Sequence, residues 1–343
     1  MATIKDVARL ANVSVATVSR VLNGTVFVRE PLRQAVLEAQ RQLGFSLNVN
    51  ARDLALKVSR TVGVLVSDVS DPYFGILASA CESISVQRKQ SMLVAQGYHN
   101  AEQEKAALEN LIAHRCSALV VHAMALSDQT LQECMDKVPS MVVINRVLPG
   151  YESRCVNVDN QSGMREAVKH LLDCGHTRIA FIDSSHGILD AVERYRAYED
   201  MLRAQGCPAD PQLRITVDPT MEGGRRAALR LLEQRGRFSA VAAYNDQVAA
   251  GLIAQFREAG LRVPDDISVT GFDDLGLAGC LNPPLTTVKN PVREMARYAT
   301  ELSLSLYAKE DCGPPPPLLT TLVVRESVRN LGAGEYEFFH TQP

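Results

Sequence analysis

The sequence predicts an α/β protein: a small helical head followed by a body of two doubly wound parallel sheets in series. Three observations carry that expectation. Three short helical patterns fill residues 1–45. From Thr61 onward, short apolar runs alternate with helical stretches, the rhythm of strand–helix units. The chain is 46% apolar with no Trp and 5% aromatic residues, so its core must be mainly aliphatic, as suits parallel sheets covered by helices. A length of 343 residues allows two or three domains.

In the head, Ile4, Val7, Ala8 and Ala11 recur at helical spacing, and Val18, Val21 and Leu22 share one side of a second stretch. Thr3 with Asp6, and Ser14 with Thr17, supply a start signal for each. The break between them, Ala11-Asn12-Val13, admits a sharp turn, because Asn tolerates a left-handed backbone. Helices this short must pack on one another and on a third, for which Pro31 to Phe45 is available. Helix, tight turn, helix and third helix read as a DNA-binding helix-turn-helix.

Charge is distributed to match. Residues 1–60 carry 9 Lys/Arg against 4 Asp/Glu, a net of +5, and the remainder carries 27 against 35, a net of −8. A basic head on an acidic body fits a protein that brings only its first segment to phosphates. The eight cysteines are scattered without a Cys-x-x-Cys pair, which predicts reduced thiols rather than disulfides or zinc. No stretch approaches the roughly 20 apolar residues of a membrane span, and the N-terminus lacks a signal-like apolar run. These features predict a soluble cytoplasmic chain with no membrane contact.

After a polar segment, Ser46 to Arg60, strands are expected at TVGVLVSDV, SMLVAQG, ALVVHAM and MVVINR, with helices near 73–89, 101–115 and 128–137. The pattern then restarts. Helix 161–174, strand RIAFIDSS, helix 190–205, a strand near Ile215, helix 224–235, strand AVAAYND, helix 247–259 and strand ISVTGFDD follow. LTTVKN, helix 292–308 and a last strand after four prolines suggest that the chain crosses back between two lobes.

Two such lobes face each other with the C-terminal ends of their strands, where ligands bind in open sheets. Just past those ends lie Asp71-Pro72-Tyr73-Phe74, His122, Asn145-Arg146, Ser184-Ser185, Asn245-Asp246 and Asp273-Asp274. Amide, carboxylate and guanidinium groups with an aromatic pair suit a polyhydroxylated small molecule. Catalytic and metal patterns are missing. There is no His-Glu-x-x-His, no Gly-x-Ser-x-Gly, no phosphate-cradling Gly-x-x-x-x-Gly-Lys and no dinucleotide glycine fingerprint. Neighbouring strand residues such as Asp273 and Asp274 point to opposite faces. No enzyme, no metal and no cofactor are expected.

The strings TIKDVARLANVSVATVSRVLN, Asn50-Ala51-Arg52, Leu54-Ala55, VDN, GHTRIAF, YND, GFDD and PPLTTVK together resemble the LacI/GalR family of bacterial transcription regulators, from residue 1 to about 329. DVSDPYFG, GYHNAEQEK, HRCSALVVHA, INRVLPGYESRC and SSHGI are similar to its galactose-responsive branch. The resemblance implies a homodimeric repressor bound to near-palindromic double-stranded operator DNA, with D-galactose as effector. The implied fold is a helix-turn-helix headpiece (1–45), a hinge (46–60) and a two-lobed periplasmic-binding-protein-like core. Its first lobe spans 61–158 and 291–318, its second 159–290 and 319–329, and 330–343 form a short tail.

By the same resemblance, Val15 and Ala16 would face base edges, and Arg20 bases or phosphate. Thr3, Ser14, Thr17, Ser19 and Asn23 would hold the DNA backbone, with Asn50 in the hinge. Leu54 would wedge into the minor groove, from a hinge that orders only when paired on DNA. Tyr73, Phe74, His122, Asn145, Arg194, Asn245 and Asp273 would fall on ligand positions. The chain departs from the family pattern at Asn12 for Gly, Leu47 for Pro and Ala197 for Gly. Arg29 also removes a helix cap, and Asp53 adds a negative charge beside Leu54. The alternative effectors are another sugar or a purine corepressor. A transport-type sugar receptor would share the body but carry a signal peptide, and a sugar-metabolising enzyme would need a catalytic base at the cleft.

Overall fold

The computed structural model describes residues 2–23, 27–45, 59–207 and 209–332, without the side chain of Asn23. The chain divides between Arg60 and Thr61 into two compact units. The hinge positions Asn50, Asp53 and Leu54 lie outside the described residues.

The first unit holds α1 (Ile4–Leu10), α2 (Val15–Asn23) and α3 (Glu30–Gln42). Thr3 and Asp6 form a reciprocal capping box: Asp6 Oδ2 accepts the Thr3 N–H at 2.9 Å, and Thr3 Oγ1 accepts the Asp6 N–H at 3.4 Å. Asn12 takes the left-handed backbone of the turn, at φ 50°. Ser14 Oγ then accepts the Thr17 N–H at 3.1 Å and starts α2. The side chain of Arg29 makes no cap bond to α3, whose first turn holds Pro31 instead. Val7, Ala8, Val18, Val36 and Ala39 form the core where the three helices meet, ringed by Ile4, Ala11, Val13, Val21, Leu22 and Phe45.

The second unit contains two sheets. The first has strand order β2-β1-β3-β4-β5, all parallel, from β1 (Thr61–Val66), β2 (Ser91–Gln96), β3 (Ala118–Val121), β4 (Met141–Ile144) and β5 (Cys155–Val156). The second has order β11-β10-β9-β8-β6-β7. Its strands are β6 (Ile179–Ser184), β7 (Arg214–Val217), β8 (Ala240–Ala243), β9 (Ser268–Asp273), β10 (Thr286–Lys289) and β11 (Thr321–Val323). Only β11 runs antiparallel, on the edge beside β10. Both are doubly wound sheets. β1, β3, β4, β6, β8 and β9 are almost wholly buried, as strands covered on both faces must be.

Helices fill both faces: α4 (Pro72–Gln87), α5 (Ala101–Ala113) and α6 (Asp128–Lys137) in the first half, then α7 (Asn160–Asp173), α8 (Leu189–Ala204), α9 (Met221–Leu232) and α10 (Asp246–Glu258) in the second. The chain passes between the halves three times. After β5, Val158 bridges Leu318 and leads into α7. After β10, α11 (Val292–Tyr307) returns to the first half, where Met295, Ala296, Ala299 and Leu302 join the core of Val64, Leu77, Val120 and Val142. Ser303 Oγ there accepts the Leu119 N–H at 2.9 Å and donates to the Ser140 carbonyl. The chain then recrosses at Leu318 to reach β11.

Two glycines let α9 and α10 touch backbone to backbone. A Cβ on Gly224 would lie 2.2 Å from the Val248 carbonyl oxygen, and one on Gly251 would lie 2.0 Å from that of Met221. All eight cysteines are free thiols. Among the described residues, no helix is long and apolar enough to cross a membrane.

Candidate DNA-facing helix and effector cleft

Two sites emerge, one in each unit. In the first, α2 buries Val18 completely and turns the residues around it outward. Val15 is 41% exposed, and Ala16 and Arg20 are exposed beside it. No acidic residue stands in the first turn of α2, so the positive end of the helix is not offset by its own side chains. Small apolar side chains at a free helix start can enter a major groove and touch thymine methyls. The hydroxyls of Ser14 and Thr17 lie 2.9 Å apart at that start, and Ser19 is half-buried one turn later.

In the second unit, a cleft opens between the C-terminal ends of the two sheets. Asp71, Tyr73, Phe74, His99, His122 and Asn145 line it from the first half; His186, Asp190, Arg194, Tyr244, Asn245 and Asp273 face them from the second, with Ile188 and Pro219. Strand ends place most of these groups. His122 follows β3, Asn145 follows β4, Tyr244 follows β8, and Asp273 ends β9. Three take positive φ without being glycine: His99 at 50°, Asn145 at 61° and Asp273 at 105°. Such backbone costs on the order of 1–3 kcal/mol each and collects at ligand sites.

Arg194 is the centre of the second half. It is 2% exposed, and its Nη1 donates to the Tyr244 carbonyl at 2.8 Å. Its Nε and Nη2 both donate to Asn160 Oδ1, at 3.2 and 3.0 Å. Its Nη2 lies 3.7 Å from Asp273 and 4.0 Å from Asp190. The guanidinium also stacks 3.6 Å above the Phe272 ring. Burial opposes its charge, but Tyr244, Asp273 and Asp190 outweigh that and raise its pKa. Asp273 is pushed up by burial and held back by Arg194, while Asn290 Nδ2 donates to it at 3.1 Å. The Tyr244 phenol donates to Asp190 at 3.0 Å.

The first half is aromatic and under-bonded by contrast. Phe74 meets Tyr73 edge-on at 5.1 Å and His122 at 4.8 Å. Asn145 Nδ2 donates to the Tyr73 phenol at 3.2 Å. Three buried polar atoms here have no partner: Asn145 Oδ1, His99 Nδ1 and His122 Nδ1. Buried polar atoms are nearly always paired, so unpaired ones along a cleft point to a ligand or water that completes them. Burial keeps His122 neutral by lowering its pKa to about 4. It lowers His99 to about 3, with help from His122 and His186. Burial also pushes Asp71 up to about 6. The cleft therefore offers neutral imidazoles, amides and an aromatic face opposite a clamped guanidinium and carboxylates. That combination can bracket a ring bearing several hydroxyls.

All seven sequence-derived ligand candidates line this one cleft. Asn245 does so while capping α10: its Oδ1 accepts the Val248 N–H at 2.9 Å, and its Nδ2 donates to the Pro219 carbonyl at 3.0 Å. Several other strand-end residues turn elsewhere. Arg146 pairs with Asp128, Ser185 donates to Asp218, and Asp274 pairs with Arg325. The sequence reading missed His99, His186, Asp190 and Tyr244. Tyr244 directly precedes Asn245, His99 and His186 follow the ends of β2 and β6, and Asp190 stands one helical turn before Arg194. The same strand-end rule, extended by a residue or two, reaches the first three.

Comparison with known proteins agrees with both units. Residues 3–48 match the bacterial regulatory proteins of the lacI family, and residues 168–328 match a periplasmic binding protein-like domain. The chain is 45% identical over 333 residues to the HTH-type transcriptional regulator GalR of Salmonella typhimurium, covering 96% of each. It is 45% identical over 329 residues to GalS of the same organism, covering 96% of this chain and 97% of that one. Among solved structures, the lac repressor dimer bound to operator and the anti-inducer ONPF matches with a TM-score of 0.85 at 28% identity, over 96% of this chain and 99% of that one. These relatives are transcriptional regulators, not enzymes. With a helix-turn-helix at its head and a two-sheet binding-protein-like core behind it, the chain belongs to the lacI family of bacterial regulatory proteins.

Proposed function

We propose that this regulator is a cytoplasmic homodimeric repressor of sugar-utilisation genes. It binds a near-palindromic operator and is released when D-galactose fills the cleft. The three unpartnered polar atoms on the aromatic side of the cleft, facing Arg194 and Asp273, carry the effector reading. A hexose supplies hydroxyls that both donate and accept, so one ring can pair His99 Nδ1, His122 Nδ1 and Asn145 Oδ1. Phe74 would cover its apolar face. D-galactose is chosen among sugars because of the strings that resemble the galactose-responsive branch of the family. The two half-clefts would be drawn together by a shared ligand, and the operator-binding state would lose its preferred geometry. Such coupling is typically 1–3 kcal/mol and reciprocal: operator must weaken galactose by the factor that galactose weakens operator.

On the DNA, Val15 and Ala16 would read base edges and Arg20 bases or phosphate. Thr3, Ser14, Thr17, Ser19 and Asn23 would hold the backbone. Asn50 and Leu54 would act from the hinge, with Leu54 as a minor-groove wedge. The domain limits proposed are a headpiece to 45, a hinge to 60, and two lobes exchanging segments at 158, 290 and 318.

Calorimetric titration of the full chain with a panel of D-galactose, D-glucose, other free sugars and purine bases tests the effector. Saturable binding of D-galactose, tighter than that of its epimers, is expected. Preference for a purine or another sugar would overturn the choice.

A further inference from the structure

Arg194 is fastened to the passage between the two halves of the core, and the fastening is a single side chain. Asn160 is 2% exposed and begins α7, two residues after the Val158–Leu318 bridge. The backbone there is tied to the returning segment, with Asp159 N–H donating to the Leu318 carbonyl at 3.4 Å and Thr320 Oγ1 to the Asp159 carbonyl at 3.2 Å. Asn160 Oδ1 accepts two of the Arg194 N–H groups, as described above. Its Nδ2 donates to Glu193 Oε2 at 3.2 Å, and its backbone N–H to the Val158 carbonyl at 3.0 Å. One amide thus joins the residue that dominates the cleft to the strand-to-helix crossover that links the two lobes.

The charges around Arg194 make that amide decisive. Asp273 and Asp190 stand 3.7 and 4.0 Å away, beyond hydrogen-bond length but within easy reach. Without the Asn160 acceptor, two N–H groups of a buried guanidinium would lose their partner, and the two carboxylates offer replacements. The guanidinium would slide toward them and close the space it leaves open for a ligand. We propose that Asn160 is a positioning residue. It holds Arg194 away from Asp190 and Asp273, in a ligand-competent pose, and ties that pose to the interlobe crossover.

This inference rests on the cleft being the effector site, and its test separates the two. Crystal structures of the ligand-free full chain are compared for the wild type, Asn160→Ala and Asn160→Asp, alongside calorimetric titration with D-galactose. In Asn160→Ala the guanidinium should shift onto Asp190 or Asp273, and galactose affinity should fall at least tenfold. Asn160→Asp keeps an acceptor for Arg194 but gives up the donation to Glu193, so it should leave Arg194 in place and bind galactose less well than the wild type but better than Asn160→Ala. Arg194→Lys combined with Asn160→Ala should bind no worse than Arg194→Lys alone, an outcome that general loss of packing would not give. Should Asn160→Ala fail to fold, Asn160→Leu, of similar shape but without an acceptor, makes the same comparison. An unmoved guanidinium in the variant lacking the acceptor, or additive losses in the double variant, would overturn the proposal. Were the wild type to bind no galactose, the effector reading would fall while the crystallographic comparison still decided the role of Asn160.

Discussion

The rings of His99 and His186 lie 4.4 Å apart, centroid to centroid, and they come from opposite halves of the core. The contact spans the cleft, and His99 continues inward to His122 at 5.9 Å and Phe74 at 6.0 Å. Burial lowers the pKa of all three histidines. Charged, they would repel across the gap. Neutral, they form an aromatic lining that a sugar ring can lie against.

The first prediction follows from that burial. A histidine whose folded pKa is depressed holds its stabilising effect above the unfolded value of about 6.5 and loses it as pH falls toward the folded value. Those folded values are about 3 for His99 and about 4 for His122. The part of the stability linked to these histidines should therefore be lost between pH 6.5 and pH 4, and is read as the difference in melting temperature between the wild type and a variant lacking one of them. His122→Phe keeps the edge-on packing with Phe74 and removes one titrating group, so it should melt higher than the wild type at pH 5. It also deletes Nδ1, so it should bind galactose more weakly. Thermal melts across pH, with calorimetry at neutral pH, check both parts.

Asp246 titrates in the opposite sense. It accepts from the Leu275 N–H and from Thr287 Oγ1, and burial, then Asp273, raise its pKa to about 8. Its unfolded carboxyl ionises near 3.9, so the unfolded state binds fewer protons between that pH and 8. Stability linked to this group falls as pH rises through that window. Asp246→Asn should flatten that slope, gaining most at pH 8, as read from urea unfolding at successive pH values.

The contact of α9 with α10 at Gly224 and Gly251 has no room for a methyl group. Gly251→Ala should destabilise the core by roughly 1–3 kcal/mol or more through overpacking, although Ala is the better helix former. The loss would appear in chemical denaturation of the core and leave the headpiece unaltered.

In the headpiece, exposure separates function from packing. Arg20→Ala should weaken operator binding by about 1–3 kcal/mol and leave thermal stability unchanged. Val18→Ala removes buried methyls and should destabilise the headpiece by roughly 1–3 kcal/mol, weakening DNA binding only as a consequence. Anisotropy titrations paired with melts distinguish the two.

Much of this was legible in the sequence, for local reasons. The two start signals at Thr3 and Ser14, the left-handed Asn12 and the apolar strand runs each act within a few residues, so their spacing alone specified them. The lost cap at Arg29 could be read the same way. The strand-end rule led to Asn145, Asn245 and Asp273, whereas Arg194, inside a helix, was reached only through the family resemblance. Other features depend on partners far away in the chain. Nothing near Asn160 in the sequence announces that it meets Arg194, 34 positions on. Nor does the sequence around Gly224 announce that it lets α9 approach Val248 of α10 backbone to backbone. Arg146 and Asp274 shared the chemistry of cleft residues, but nearby opposite charges turned them elsewhere.

The central claim is that one sugar in the cleft decides whether the headpieces hold DNA. The most direct measurement selects symmetric duplexes from a randomised pool with the full chain, then titrates the retained complex with D-galactose. Enrichment of a near-palindrome and its release at saturating D-galactose, with D-glucose releasing little, is the predicted result. No enriched symmetric site, or retention unchanged by saturating D-galactose, would contradict it.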